Sequence, residues 1–218
     1  MSKRNLTLLS ILIVVVILAA DQIFKIWVKT HMTMGQTIPV MGNWFLIRFI
    51  ENPGMAFGID LPGKFGKPAL TIFRLLAVIA IAWYLNTLMQ KKVPTGLIVF
   101  VSLILAGAAG NIIDSAFYGL IFSESTYTTV AQIFPEGGGY ASFLYGRVVD
   151  MLYFPVINAH WPHWVPWVGG EEFVFFRPIF NFADASISTG VIAIMVFQKR
   201  YFKHEQEEVK TEAEIPQA

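Results

Sequence analysis

The sequence of 218 residues contains no cysteine and few charged side chains. Without cysteine the chain has no disulfide, no thiolate metal ligand and no cysteine nucleophile. Charged residues make up 14% of the chain, and 16 basic against 15 acidic side chains leave a formal charge of +1. That balance lacks the basic surface that nucleic-acid binding requires. Any catalysis must therefore come from aspartate, serine, histidine or lysine.

Several catalytic and binding motifs are also missing. No Gly-x-Ser-x-Gly occurs, and His204 is not followed by the second histidine of a zinc-binding helix. The glycine run 137–139 lacks the Lys and the Ser or Thr of a phosphate-binding loop. His160 and His163 are separated by Trp and Pro, which is more typical of an interfacial loop than of metal ligands. We therefore expect no metal and no cofactor.

Apolar residues are abundant instead. The chain is 55% hydrophobic and 15% aromatic, which indicates a membrane protein. A helix needs about 20 apolar residues to cross about 30 Å of hydrocarbon. Four stretches meet this requirement, near residues 6–28, 68–89, 96–122 and 179–197. We predict an all-α membrane protein with four transmembrane helices in one domain, residues 1–203, followed by a disordered cytoplasmic tail, residues 204–218.

The orientation follows from the basic residues on the short flanks, because Lys and Arg are retained on the cytoplasmic side. Three tight flanks carry them: Lys3 and Arg4, Lys91 and Lys92, and Lys199, Arg200 and Lys203. An even number of crossings places these flanks together, so both termini are predicted to be cytoplasmic. The two long loops, residues 29–67 and 123–178, are then extracytoplasmic.

The two outer loops differ in composition. Residues 44–50 are β-branched and aromatic and are followed by the turn signal Asn52-Pro53-Gly54, which predicts a small β-rich cradle. The second loop is a long insertion between helices 3 and 4. Its aromatic run, residues 160–167, suits the lipid headgroup layer.

Polar and ionisable side chains lie at the outer ends of the predicted spans. Each ionisable group inside a span costs about 2.5 to 3.5 kcal/mol on insertion scales, so it needs a partner or a purpose. The residues concerned are Asp21, Lys25, Arg74, Asn111, Asp114, Asn181 and Asp184. A common depth indicates a site for a substrate that enters from the outer leaflet. Simpler interpretations remain open, since Asp21 and Lys25 can form an i,i+4 ion pair and Arg74 can extend to the interface.

Carboxylates at one depth favour a particular chemistry. Two carboxylates in a poorly hydrated place share a proton, so that one acts as a base and the other as an acid. Such a pair can activate water against an amide and protonate the leaving nitrogen. Two alternatives remain: a proton-coupled membrane transporter that uses Asp21, Asp114 and Asp184 as a relay, and a structural scaffold that neutralises its carboxylates.

Five ordered sequence blocks resemble the lipoprotein signal peptidase family, also called signal peptidase II. The resemblance spans about residues 21–196. The blocks are Asp21-Gln22-x-x-Lys25, Asn52-Pro53-Gly54-Met55-Ala56-Phe57, Gly110-Asn111-Ile112-Ile113-Asp114, Gly146-Arg147-Val148-Val149-Asp150 and Phe180-Asn181-Phe182-Ala183-Asp184.

The resemblance implies a four-helix aspartyl peptidase of the bacterial inner membrane. It implies cleavage of the signal peptide from a prolipoprotein, immediately before a diacylglyceryl cysteine, with membrane lipid as the other partner. The implied catalytic residues are Asp150 and Asp184. The positions implied to bind substrate or to brace the site are Asp21, Lys25, Asn52, Gly54, Asn111, Asp114, Arg147 and Asn181.

The chain departs from the family pattern in two ways. Ser115 stands where the family usually has Arg, and Arg147 and Arg74 are the candidates to replace that cation. The outer loop is also longer than usual, around residues 119–145 and 151–178. Added loop length costs little entropy, so these insertions are compatible with the same chemistry.

Overall fold

The computed structural model describes residues 2–53, 66–91 and 93–213, with the side chains of 158 and 202–213 left out. Its helices are α1 (Lys3–His31), α2 (Gly66–Leu88), α3 (Thr95–Ile113), α4 (Gly119–Ile121) and α5 (Phe182–Ala213), with a π-helical turn, Asp114–Tyr118, between α3 and α4. Its strands are β1 (Thr37–Met41), β2 (Phe45–Asn52), β3 (Val148–Tyr153), β4 (Ile157–His160), β5 (Glu172–Phe175) and β6 (Ile179–Phe180).

The chain forms two compact units. The helix unit comprises Met1–Ala20, Ile72–Ile112 and Ala183–Ala218. The sheet unit comprises Asp21–Thr71 and Ile113–Phe182. Helix α1 contributes residues to both units, because it continues through Ala20 and Asp21, where the division falls.

Three helical segments of the described chain are long and apolar enough to cross a membrane: Lys3–His31, Gly66–Leu88 and Thr95–Ile121. Large apolar side chains such as Leu12, Phe73 and Trp83 are exposed along them. In a soluble protein such surfaces are rare, whereas lipid solvates them without cost. This finding confirms a helical membrane protein.

The fourth helix differs from the sequence prediction at both ends. Ile179 and Phe180 form strand β6, and α5 begins only at Phe182. The apolar part of α5 ends at Phe197, before two cationic residues, and is shorter than the roughly 20 residues of a full span. The helix continues through 204–213, which was predicted to be disordered, because this segment is rich in the strong helix formers Glu, Gln, Lys and Ala.

Close helix contacts organise the helix unit. A Cβ at Gly107 would lie 2.2 Å from the Ala183 carbonyl oxygen, and one at Gly190 would lie 2.7 Å from the Phe100 carbonyl oxygen. Only glycine permits these backbones to approach so closely. The Ser186 hydroxyl adds a 2.8 Å hydrogen bond to the Leu103 carbonyl. Helices α3 and α5 are thereby fixed against each other.

A four-stranded antiparallel sheet, ordered β1-β2-β3-β6, organises the sheet unit. Strand β2 coincides with the β-branched and aromatic run identified in the sequence, which confirms that prediction. In the β2–β3 register, Ile47 pairs with Leu152 and Ile50 pairs with Asp150. Three steps along β2 thus oppose two along β3, which places a one-residue bulge in β2.

Residues 123–145 fold back onto the π-helical turn and α4. The amides of Phe134, Ala141 and Leu144 donate to the carbonyls of Ile121, Gly119 and Ala116, at 2.7, 2.9 and 3.2 Å. A Cβ at Gly139 would lie 2.0 Å from the Gly119 carbonyl oxygen, so glycine is needed at this position for close approach. The first inserted segment is therefore a packed part of the sheet unit.

The second inserted segment forms a separate two-stranded hairpin. Strands β4 and β5 pair from Ile157 with Phe175 to His160 with Glu172. Trp161 and Phe173 pack edge to face, with ring centroids 4.9 Å apart. The loop between these strands carries the aromatic run.

Candidate active site

Asp150 lies in the middle of the buried strand β3. The strand, Val-Val-Asp-Met-Leu-Tyr, is a nearly continuous apolar run, as expected for a strand covered on both faces. Asp150 is 3% exposed. The buried Asn181 amide Nδ2 donates to Asp150 Oδ1 at 2.7 Å and to the Val149 carbonyl at 3.3 Å. One asparagine therefore fixes both the carboxylate and the adjacent backbone.

A buried ion triad contacts Val149, the residue that precedes Asp150. Lys25 Nζ is 2.8 Å from Asp21 Oδ2 and 2.9 Å from Asp114 Oδ2, and all three side chains are buried. The i,i+4 pair predicted from the sequence is therefore present, with Asp114 as its third member. Asp114 Oδ2 also accepts the Val149 N–H at 3.2 Å. The triad is thus bonded to the backbone of β3 at the residue before Asp150.

Two further polar side chains are hydrogen-bonded around the triad. Gln22 Nε2 donates to Asp21 Oδ2 at 3.1 Å and to Asp114 Oδ1 at 2.9 Å. The Tyr118 hydroxyl in turn donates to Gln22 Oε1 at 3.1 Å. Because Asp114 and Tyr118 are the ends of the π-helical turn, this turn aims both groups at α1. Buried charges are tolerated only when they are paired and hydrogen-bonded in this way.

A second buried ion network was not identified from the sequence. Glu51, whose side chain is 1% exposed, pairs with the buried Lys29 and accepts a 2.8 Å hydrogen bond from the Ser125 hydroxyl. Arg147 Nη1 lies 3.1 Å from Glu51 Oε2, and Arg147 Nη2 lies 3.1 Å from the exposed Glu124. The sequence does carry a signal for Lys29, because this residue lies eight positions after Asp21 and four after Lys25, on the same face of α1.

Tyr140 closes this network on the side of the first insertion. Its ring lies 4.9 Å from Lys29 Nζ and 5.1 Å from the Arg147 guanidinium carbon, both cation–π distances. Its hydroxyl accepts the Arg147 N–H at 2.6 Å. Burial raises the pKa of Tyr140, which keeps the phenol neutral. Burial alone would lower the pKa of Arg147, but the hydrogen bonds and charges of Glu51 and Glu124 together outweigh it and raise that pKa.

Ser115, at the position where the sequence resemblance implies an arginine, is buried. Its carbonyl accepts the Gly146 N–H at 2.8 Å. A Cβ at Gly146 would lie 2.1 Å from the Asp114 carbonyl oxygen, so the chain leading into Arg147 packs directly on this turn. Arg147, the next residue, is therefore held beside Ser115, the position where the resemblance implies an arginine. Arg74 lies in the helix unit and is half-buried.

Asp184 is held within the helix unit. It lies in the first turn of α5 and is half-buried. Asn111 Nδ2, from α3, donates to Asp184 Oδ1 at 2.8 Å. The close contact of Gly107 with Ala183 fixes the backbone immediately before it.

The sequence-predicted residues are thus distributed over both units. Asn52, which ends β2, pairs with Val148 of β3, and Gly54 lies outside the described residues. The sheet unit brings together Asp21, Lys25, Asp114, Arg147, Asp150 and Asn181, and the helix unit brings together Asn111 and Asp184. Within the described residues, no three His, Asp or Glu side chains are grouped to hold a metal ion. Fold and contacts define a helical membrane protein in which each of the four described aspartates, Asp21, Asp114, Asp150 and Asp184, contacts a polar or charged side chain.

Comparison with known proteins identifies the family. The family model described as signal peptidase (SPase) II matches residues 13–199. The lipoprotein signal peptidase of Porphyromonas gingivalis is 51% identical over 189 residues, covering 86% of this chain and 81% of that protein. That of Amoebophilus asiaticus is 42% identical over 183 residues, covering 83% and 72%.

A solved structure of similar fold agrees with this match. A bacterial membrane enzyme determined by the in meso method at 2.3 Å resolution has a TM-score of 0.56 at 27% identity, covering 88% of this chain and 87% of that one. The chain belongs to the signal peptidase II family, the aspartic peptidases that remove signal peptides from prolipoproteins. This assignment confirms the peptidase hypothesis over the transporter and scaffold alternatives.

Proposed function

We propose that Asp150 and Asp184 are the two catalytic carboxylates of this peptidase. The observation that supports the proposal is a shared device: each aspartate accepts an asparagine amide N–H on Oδ1, at 2.7 Å for Asp150 and 2.8 Å for Asp184. An amide donor fixes the rotamer of a carboxylate and directs its other oxygen. Asn181 and Asn111 are therefore positioning residues.

The chemistry follows from two carboxylates that share one proton. The ionised carboxylate takes a proton from water as the water oxygen attacks the scissile carbonyl, while the protonated partner donates a hydrogen bond to the carbonyl oxygen. Collapse of the tetrahedral intermediate breaks the C–N bond, and the leaving nitrogen takes the proton that the first carboxylate removed from water. The products are the signal-peptide carboxylate and a free α-amino group on the cysteine.

The ion triad of Lys25, Asp21 and Asp114 supports this chemistry from outside the reacting atoms. Asp114 binds the backbone N–H of Val149, so the triad restrains the strand that carries Asp150. A displacement of about 1 Å at a catalytic group can cost about 100-fold in rate. Three buried charged side chains, bonded to β3 through Asp114, are consistent with a need to keep Asp150 within this tolerance.

The substrate is proposed to be a prolipoprotein with a diacylglyceryl cysteine, cut immediately before that cysteine. The acyl chains keep the cysteine at the outer leaflet boundary, the depth at which the polar residues of the predicted spans lie. The proposed topology has four spans, with α5 as the fourth, and both termini cytoplasmic, because the basic flanks then lie on one side. The proposed location is the bacterial inner membrane.

The test replaces each aspartate by asparagine in the full-length protein. We expect Asp150→Asn and Asp184→Asn each to lower kcat at least about 10³-fold on a diacylglyceryl-modified precursor, because neither amide can exchange a proton. Glu136→Gln, at an exposed turn, is the control and should retain full activity. Normal turnover by either aspartate variant would reject the assignment.

A further inference from the structure

The loop that joins β4 and β5 displays aromatic side chains to the outside. We call residues 161–170 the tryptophan loop. Trp164 is 81% exposed and Trp167 is 97% exposed. Large aromatic rings contribute most to stability when they are buried, so two nearly free tryptophans in one short loop are unusual.

This exposure is built into the loop conformation. The amides of Val165, Gly169 and Gly170 donate to the carbonyls of Pro162, Val165 and Trp161, at 3.0, 3.0 and 2.9 Å. A Cβ at Gly169 would lie 2.6 Å from the His163 carbonyl oxygen, so the turn closes on itself tightly. Trp167 adopts φ 67°, a left-handed conformation that costs free energy for a bulky residue. The loop is thus folded so as to point these rings outward.

The tryptophan loop carries no formal charge. Residues 161–170 contain no Lys, Arg, Asp or Glu, and the charges nearest in sequence, Glu171 and Glu172, lie where the loop joins strand β5. An apolar, uncharged loop that joins its strand at two charged residues has the polarity gradient of the membrane interface. Tryptophan is enriched there because its ring is apolar while its indole N–H remains hydrated.

The sheet unit also contains one end of each candidate span. Segment α1 ends within this unit at His31, α2 begins within it at Gly66, and the third span ends within it at Ile121. Span ends lie at the boundary between hydrocarbon and water. The hairpin is therefore part of the unit that contains these span ends.

We propose that the tryptophan loop inserts Trp164 and Trp167 into the headgroup region of a phospholipid bilayer. The bilayer is the occupant that matches the absent charge and the amphipathic rings, and it surrounds the span ends that the same unit contains. The loop is a membrane contact in addition to the transmembrane helices, and it restrains the second insertion at the interface. This proposal is independent of the assignment of the catalytic aspartates.

The absence of cysteine allows a direct test by spin labelling. Trp164→Cys and Trp167→Cys are labelled in the full-length protein, with one chain per phospholipid nanodisc, and compared with Glu136→Cys, which lies at an exposed turn of the same unit. Collisions with oxygen report lipid, and collisions with a water-soluble nickel chelate report water. We expect oxygen contact to rise and nickel contact to fall at 164 and 167, relative to 136.

Two results would overturn the proposal. Equal nickel contact at all three positions would place the loop in water. Loss of contact with both reagents at 164 and 167 would indicate a protein surface, either of this chain or of a second copy.

A second measurement leaves the aromatic rings in place. Trp164→Phe with Trp167→Phe is compared with the unmodified protein in bilayers that contain dibrominated lipids. The fluorescence lost in the variant should be the component quenched by bromines near the glycerol end of the chains and spared by bromines near the methyl end. A missing component that neither lipid quenches would also contradict the proposal.

Discussion

Asp150 and Asp184 carry the same asparagine contact but are held by different means. Asp150 lies in a buried strand, and the backbone before it is bonded to an ion triad that draws on α1 and the π-helical turn. Asp184 is half-buried in the first turn of α5, where its backbone is fixed by the close approach of Gly107. The sheet unit thus uses buried charge to position its aspartate, whereas the helix unit uses close packing of small residues.

This difference predicts which substitutions affect which aspartate. Buried ions are expensive to desolvate, and removing one partner leaves the other uncompensated. A packed helix pair has no such charge to expose, but it has no room for added volume. Electrostatic variants should therefore act through β3, and steric variants should act through α5.

The largest effect is expected from removing the cation of the triad. Lys25→Met leaves Asp21 and Asp114 buried without their shared partner, which should destabilise the protein by about 3 to 5 kcal/mol. Thermal unfolding in detergent measures this. Lys91→Met, at an exposed position, is the control and should change stability by less than about 0.5 kcal/mol. Equal stability of the two variants would show that the triad does not support the fold.

The second ion network permits a test with a matched pair of glutamates. Glu51 and Glu124 both bind Arg147, but the Glu51 side chain is 1% exposed and Glu124 is 59% exposed. Glu51→Gln should cost about 3 kcal/mol, because Lys29 is then buried without a counter-ion. Glu124→Gln should cost at most about 1 kcal/mol, as for surface pairs. Similar unfolding midpoints for both variants would contradict this account.

The two asparagines provide the direct comparison of the aspartates. Asn181→Ala removes a buried donor from Asp150, and Asn111→Ala removes a half-buried donor from Asp184. Hydrogen bonds to charged groups contribute about 1.5 to 3 kcal/mol, so kcat should fall about 100-fold for Asn181→Ala and about 10-fold for Asn111→Ala. Steady-state kinetics of precursor cleavage measure both. The exposed Asn43→Ala serves as control, and an unchanged kcat in the asparagine variants would rule out a positioning role.

The smallest effect is expected from one added methyl group in the helix unit. Gly107→Ala places a Cβ against the Ala183 carbonyl and Ile187, which should displace the start of α5 and cost about 1 to 3 kcal/mol. Intrinsic helix propensity alone predicts the opposite sign, a gain of up to about 1 kcal/mol. Gly137→Ala is the matched control, since a Cβ there meets nothing within 4 Å. A stabilised Gly107→Ala variant would show that α3 and α5 do not depend on this contact.

Local patterns in the sequence predicted the parts of the fold that depend on local physics. The apolar runs gave the helices, the β-branched run gave β2, and the i,i+4 spacing gave the Asp21–Lys25 pair. The order of the motif blocks gave the family. Each of these signals lies in a contiguous stretch of sequence or in the order of such stretches, so a single sequence carries them.

The features that escaped prediction depend on long-range pairing. Glu51 meets Lys29 and Arg147 only because β2 pairs with β3 and α1 packs beside them, over separations that no local pattern records. The π-helical turn has no sequence signature, yet it directs Asp114 toward Lys25. The far end of α5 differs in kind, because its polar composition predicts disorder whereas its residue types favour helix.

The single extra residue in β2 has a consequence for the chemistry of the enzyme. Side chains of a strand alternate between its two sides, so sliding β3 by one position would turn every acid and apolar group on it to the opposite side. The bulge between Ile47 and Ile50 sets that alignment. An insertion or deletion of one residue here would therefore leave every side chain of β3 in the chain yet point Asp150 away from its asparagine. The placement of Asp150 depends on the number of residues in β2 as well as on their identity.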